Sequence, residues 1–536
     1  MGFSLNAACL SGPGTSGILR RRAGNASFAQ VAILSLAAFG SVGCGGGGGG
    51  GGPSGTAPVA ALLDPFAAPG SGETFGEPEA RHLLRRIAFE APQAEVDRCV
   101  RDGLVATVDR LLNLPPDSAA EAEANLLIEK PASPRLYDLE RSWLSLMVRT
   151  DDPVREKMAL FWHQRLAVSG IGLSDSNMRW MQEYRDILRS EGLGNWRRML
   201  KSLTKNGAML AWLSGLGSTK EQPNENFARE LWELFTLGVD VRYTQADIQE
   251  AARADTGWDS TYDPVTELES VFFDVDSHDD LEKTILGVKG KFREDDVVDL
   301  TLATPEAATF LGRRLFEGLA YEGAEPEVVA ELAKLARDRD WELKPIIRTV
   351  LLSRAFYSAR ARKSKVADPA IQMVGLARAT EIPFEAWDLY WNADNMAQMP
   401  LDPPSVKGFP QGLGWSGEQA LLNRAVMVDG VAGKSMTHHP LTGDDLDPVR
   451  LDHLVPPPDK AGKVTGAATV DRLARLLDVA LTAAERQVLV DYMDHDVDGN
   501  GAPVALAFDG TDPDQIDVKV RGLLSILAQH PDAMKH

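Results

Sequence analysis

Pro223-Asn224-Glu225-Asn226-Phe227-Ala228-Arg229-Glu230-Leu231-Trp232-Glu233-Leu234-Phe235-Thr236-Leu237-Gly238 reads as one short, well-bounded helix. Phe227, Leu231, Leu234 and Phe235 recur at i, i+4, i+7 and i+8, which makes one apolar helical face. Pro223 and Asn224 suit a helix start, and Gly238 suits a left-handed stop. Asn226, Glu230 and Glu233 form a second stripe, while Glu225 and Arg229 are spaced for an i, i+4 ion pair. A helix with polar groups on both flanks of its apolar seam is either half-solvated or turned toward a polar site. The spacing leaves both open.

The helical period extends far beyond this run. Residues from Glu77 onward repeat it almost continuously, with Pro115-Pro116 closing a first unit and Asp151-Asp152-Pro153 supplying cap and first-turn chemistry. Thr244 is placed as an N-cap with Asp247 three positions on. The clearest β signal is Glu269-Ser270-Val271-Phe272-Phe273, one strand of a small hairpin. The expected fold is all-α, a multi-helical orthogonal or bundle-like domain with a minor β-hairpin element. A helical core over 77–360 is expected to carry a C-terminal helical region, 361–536, packed on it.

The first 43 residues hold Arg20-Arg21-Arg22 and no acid, followed by the apolar run Val31 to Phe39 and then Gly40-Ser41-Val42-Gly43-Cys44. Basic, apolar and small segments in that order mark an export signal over 1–43, and the apolar run is too short to span a bilayer stably. Cys44 after small residues is similar to a bacterial lipoprotein box, although Ser41 stands where Leu is usual. A flexible Gly-rich linker completes 44–76. The expectation is an exported, lipid-anchored protein of the cell envelope, in an outer-membrane or periplasm-facing setting. The net charge of −21 over 536 residues argues against nucleic acid as a partner. Cys99 is the lone cysteine of the body, which rules out an intrachain disulfide there and favours a packing role.

Several ordered motifs carry a family resemblance. Besides the Pro223 run they are Arg155-Glu156-Lys157-Met158-Ala159-Leu160-Phe161-Trp162-His163, Tyr243-Thr244 through Ala251-Ala252-Arg253 to Thr256-Gly257-Trp258, and Phe273-Asp274 through His278-Asp279 to Lys283-Thr284-Ile285-Leu286-Gly287. Pro403-Pro404-Ser405-Val406-Lys407-Gly408-Phe409-Pro410 with Trp415, and the closing Arg521-Gly522-Leu523-Leu524 helix, complete the set. The chain resembles the bacterial "domain of unknown function 1800" family from roughly Arg81 to its C-terminus. The resemblance implies architecture more than chemistry, since the family has no assigned activity. It also implies a partner, because such proteins travel with a second exported, sulfatase-like family.

Four constellations could carry chemistry. Glu156 and His163 lie seven residues apart on one helical face, and with Glu230 and Glu233 they could hold a metal, as in helical bundles. Family members often carry a second His two positions after the first; here that position is Arg165, which cannot ligate a metal. The competing reading is a buried network joining Arg155-Glu156 to Arg229-Glu230. The loop Asp274 to Asp279 could hold a metal or fold as an Asx turn in which His278 bonds locally. The Pro403 to Trp415 segment, with Lys407, Trp415 and Arg424, could line a groove and bind sugars or peptides. Asp494, Asp496, Asp498 and Asn500, with Gly499 at the sixth position, match the first half of a calcium loop, but position 12 is Ala505. Serine-hydrolase, zinc-protease and dinucleotide motifs are absent. The expected function is a lipid-anchored envelope component for binding or assembly; the alternative is a metal-dependent envelope hydrolase.

Overall fold

Thr244, Asp152 and Thr304 each accept a backbone N–H at a helix start, and Pro153 and Pro305 follow two of them. Such caps and fixed-φ first turns punctuate a chain that is about 53% helical. The computed structural model describes residues 61–432, 451–497 and 503–536. Helices α1–α4 (Glu77–Ile87, Gln93–Asp102, Leu104–Leu111, Ser118–Asn125) lead into α5 (Leu136–Arg149), α6 (Pro153–His163), α7 (Arg179–Glu191), α8 (Trp196–Leu203) and α9 (Gly207–Trp212). Next come α10 (Asn226–Glu230) and α11 (Gln245–Ala254). Two antiparallel hairpins follow, β1 (Trp258–Asp263) with β2 (Leu268–Phe273) and β3 (Lys283–Ile285) with β4 (Val288–Gly290). Trp258 faces Phe273 across the first ladder and Asp263 faces Leu268.

Helices α12–α15 (Glu294–Leu302, Pro305–Leu319, Pro326–Asp338, Leu343–Leu352) close the first region. The second holds α16 (Pro369–Thr380), α17 (Ala386–Asn395), α18 (Glu418–Ala432), α19 (Gly466–Leu476) and α20 (Ala483–Asp494). A small hairpin, β5 (His495–Val497) with β6 (Pro503–Ala505), precedes α21 (Arg521–Ala528). The fold is mostly α with minor hairpin elements. One hydrophobic cluster draws on both regions, from Phe75 to Ala528, and α16 packs on α5 across the expected boundary. Trp143, Trp196 and Trp232 are fully buried in it. At 150–250 Å² and about 25 cal/mol per Å², each burial contributes up to roughly 4–6 kcal/mol. No described helix is long and apolar enough to cross a membrane.

The opening stretch departs from the single helix that its period predicts. Its α-helical part ends at Glu230, and Leu231–Thr236 widens into a π turn. The Leu237 and Gly238 amides both donate to the Trp232 carbonyl at 2.9 Å, and the Thr236 hydroxyl donates to the Leu231 carbonyl. Trp232 is then held by its own Nε1, which donates to Thr301 Oγ1 at 2.8 Å, and by the Tyr243 ring at 5.3 Å. Gly238 stops the element at φ +99°, as its position suggests. Single-turn π bulges inside helices recur at functional sites.

Candidate functional site

Asp152 starts α6 by accepting Arg155 N at 3.4 Å and Arg155 Nε at 2.8 Å. One residue on, Glu156 points into the core. Its Oε2 accepts Trp143 Nε1 at 2.8 Å, and its two oxygens accept Arg189 Nε at 2.9 and 3.0 Å. Burial raises the Glu156 carboxyl, and Arg189 and Trp143 oppose that rise. Burial alone would lower Arg189, but Glu156 and Glu121 outweigh it and keep the guanidinium charged. The pair is a finished ion pair.

His163 ends α6 fully buried, and burial lowers its imidazole to about 3, so the ring is neutral. Nε2 accepts the Leu401 N–H at 2.9 Å. Nδ1 lies 3.0 Å from the Tyr184 hydroxyl, which itself donates to the Leu166 carbonyl at 2.7 Å. Nδ1 therefore carries the proton and donates. Both ring nitrogens are committed, which removes the lone pair that a metal would need.

The partner of His163 explains how the Pro403 segment is placed. Leu401 sits at φ +70°, a left-handed conformation that costs a bulky residue roughly 1–3 kcal/mol. His163 holds its N–H, and Gly170 N donates to its carbonyl at 2.9 Å. From there the chain turns back to α6. Gly408, at φ +80°, lies so close that a Cβ would collide with the Gln164 carbonyl. Val406 and Lys407 are thereby laid over the carboxyl end of α6.

Three motif segments consequently line one cleft of ≈ 220 Å³: Trp162 of α6 with Arg165 just past its end, Phe235 of the π turn, and Lys407 of the loop. Arg314 of α13 supplies another cation. Arg165 stacks its guanidinium 3.6 Å from the Phe161 ring centre and donates to the Phe161 carbonyl at 2.9 Å. Burial pushes it down to about 9. Glu230, half-buried on α10, is raised by burial and then by Glu233, against the pull of Arg229 and Lys407. Glu233 accepts from Arg229 Nη1 at 3.4 Å, and Glu225 pairs with Arg229 at 3.1 Å as its spacing predicts.

The four expected ligands of a Glu/His site therefore fall into two sets with separate partners. Glu156 and His163 are closed off inside α6, whereas Glu230 and Glu233 stay half-exposed with Arg229. The anticipated network joining Arg155-Glu156 to Arg229-Glu230 divides in the same way, because Arg155 pairs with Asp152 and Glu156 with Arg189. Among the described residues, no group of three or more His, Cys, Asp or Glu side chains is placed to hold a metal.

Trp415 and Arg424 lie away from solvent, with Arg424 donating to Gln372 Oε1 and the Ala367 carbonyl. Lys407 alone of the three loop candidates is exposed at the cleft. His278 bonds Thr256 O at 2.9 Å beside an Asx turn at Asp274, and Asp279 pairs with Arg253 at 2.7 Å. Cys99 is buried, and burial raises its thiol to about 11. Of the calcium-loop residues, Asp494 Oδ1 accepts Phe508 N at 3.2 Å, and Asp496 lies opposite Val504 in the β5–β6 ladder. Asp498 and Asn500 lie outside the described residues, as does Cys44.

Three groups escaped sequence reasoning. Arg165 registers there only as a missing His, and Arg314 carries no local signal beyond a helical period. Glu140 on α5 is buried, and burial together with Asp402 and Asp394 raises it to about 8. Nothing local distinguishes it from a surface Glu.

A helical protein with one continuous core and a cleft where its motifs meet is the class defined by this architecture. The chain belongs to the DUF1800 family, described as "Protein of unknown function (DUF1800)", whose family model matches residues 82–534. No curated protein and no solved structure matches it.

Proposed function

We propose that this is a lipid-anchored cell-envelope protein whose folded part binds or assembles, with the Arg165–Arg314–Lys407 cleft as its ligand surface. The observation that carries the reading is the meeting of three motif segments around a cavity of ≈ 220 Å³ lined by cations and aromatic rings. Loops fixed by a rigid scaffold are where binding groups concentrate, and a partly apolar cavity with a few convergent charges is the usual form of a ligand site. Cys44 supplies the anchor and the Gly-rich linker the reach; an exported sulfatase-like protein is the proposed partner. Membrane and soluble fractions of wild type and Cys44→Ser test the anchor. A wild type that is already soluble would refute it.

Binding is tested by titrating the mature chain with purified fractions of envelope polysaccharide. Arg314→Glu with Lys407→Glu should weaken binding at least tenfold without a change in melting temperature. Undiminished binding would overturn the cleft as the site.

A metal-dependent hydrolase is the second reading, favoured by the neighbouring carboxyls of Glu230 and Glu233 close to Lys407. It requires products that form only with a divalent metal and vanish in Glu230→Gln.

A further inference from the structure

Lys157, in the second turn of α6, buries an Nζ that has no hydrogen-bond partner among the described residues. The Nζ lies over the Phe89 ring, 4.8 Å from its centre. The amine lines a second cavity of ≈ 70 Å³, which shares Gln164, Arg165 and Gln411 with the cleft. That volume is several times the roughly 10–15 Å³ that one water needs, and it suits a small polyatomic ion.

Arg86, Arg165 and Lys365 stand on the wall of the same chamber. Arg86 is pinned by the Leu319 and Ala320 carbonyls at 3.0 and 2.7 Å, yet among the described residues its Nε has no partner, and neither has Arg165 Nε. The opposing charge is thin. Among the described residues lining the chamber, Asp368 is the buried carboxyl; it accepts from Gln164 Nε2 and is the acid that Lys157, Arg165 and Lys365 share, while Glu322 is exposed and burial keeps the His536 ring neutral. Nearby acids are engaged elsewhere, Glu90 with Arg85 and Glu317 with the Gly323 and Ala324 amides. Burial lowers Lys157 to about 7 and Lys365 to about 8. A cationic cluster with Lys157 and Arg86 buried and Arg165 and Lys365 half-buried is unexpected in a chain of net charge −21. Unpaired buried charge is costly, and a bound anion removes that cost.

We propose that this inner chamber is an oxyanion site, in which Lys157 and Arg165, backed by Arg86 and Lys365, take the phosphate, sulfate or carboxylate end of a ligand. The inference rests on the cleft reading for the path of that ligand, not for the binding of the anion itself. Arg165 and Gln411 belong to both spaces, so a ligand whose body fills the cleft places its charged end within their reach.

Equilibrium dialysis of the mature chain against inorganic phosphate, sulfate or acetate, at constant ionic strength set with chloride, tests the site. One saturable site per chain is expected for at least one of the three, and the preferred ion identifies the chemistry. Lys157→Met should weaken it at least tenfold while leaving the melting temperature of the ion-free protein unchanged or higher, because an apolar side chain of similar length replaces a stranded charge. Lys365→Met gives a second reading should Lys157→Met fail to fold. Absence of saturable binding by all three ions, or undiminished binding in a folded variant of either kind, overturns the proposal. Arg314→Glu with Lys407→Glu separates the two ideas: it should retain the inorganic ion even where polysaccharide binding is lost.

Discussion

Glu156 shows how far a single residue can be read from sequence. Its helical position and buried, charged character are legible, but its partner is not, because Arg189 lies 33 positions away on α7. Glu156→Ala would leave that guanidinium with the half-exposed Glu121 and Asp186 at 2.9 and 3.6 Å. A loss of about 3–5 kcal/mol in unfolding free energy is expected, the usual penalty for breaking a buried pair. Urea titration measures it, and a loss below about 1 kcal/mol would place the pair in solvent. Glu140 offers a pH test. Folded, it keeps its proton to about pH 8, while the unfolded group ionises near 4.5. The folded state thus holds the extra proton, so this residue erodes stability as pH rises through that window. Glu140→Gln should flatten the fall and raise the melting temperature at pH 8.5, with little effect near pH 4.5. Parallel curves for the two proteins would contradict the burial argument.

At the scale of elements, caps and apolar stripes were legible wherever their cause is local. Thr244–Asp247 forms the capping box, and Glu269–Phe273 lies within β2. The π turn was not legible. Adding one residue to a turn leaves the i, i+4 and i+7 pattern nearly intact, and its anchor, Thr301, lies 69 residues away. The Pro403 to Trp415 segment reads as able to line a groove, but the placement of its loop depends on the His163–Leu401 contact across 238 residues. His163→Phe should leave the Leu401 amide buried without an acceptor, at about 1–3 kcal/mol. Hydrogen exchange over 401–408 should accelerate. Wild-type protection there would show that His163 does not hold the loop. The Asp494 turn yields an element-scale expectation as well. With Ala505 in place of the twelfth ligand, calcium binding at about 10⁻⁴–10⁻³ M is expected. Millimolar calcium should raise the melting temperature of wild type but not of Asp496→Ala. Identical wild-type curves with calcium and with chelator would reduce the motif to an Asp-rich turn.

For the whole molecule, the helical class and the family followed directly from periodicity and ordered motifs. What could not be read was which motifs meet. Residues of α6, the π turn and the Pro403 loop are separated by tens to hundreds of positions, and only the shared core brings them to one cleft. The same packing sends Glu156 and His163 inward, leaving Glu230 and Glu233 at half-exposed positions. Motif residues that look alike in sequence as potential ligands thus serve two ends, fastening the scaffold inside and, at Glu230, acting on the Lys407 charge that lines the cavity. The central claim is that these Glu and His side chains fasten and flank a binding cleft rather than hold a catalytic metal. Its most direct test is transition-metal analysis of the mature chain, purified without chelator, for wild type and Glu230→Gln. The account predicts less than one-tenth of an equivalent of zinc, manganese or iron in both proteins. One equivalent in wild type that disappears in Glu230→Gln would contradict it.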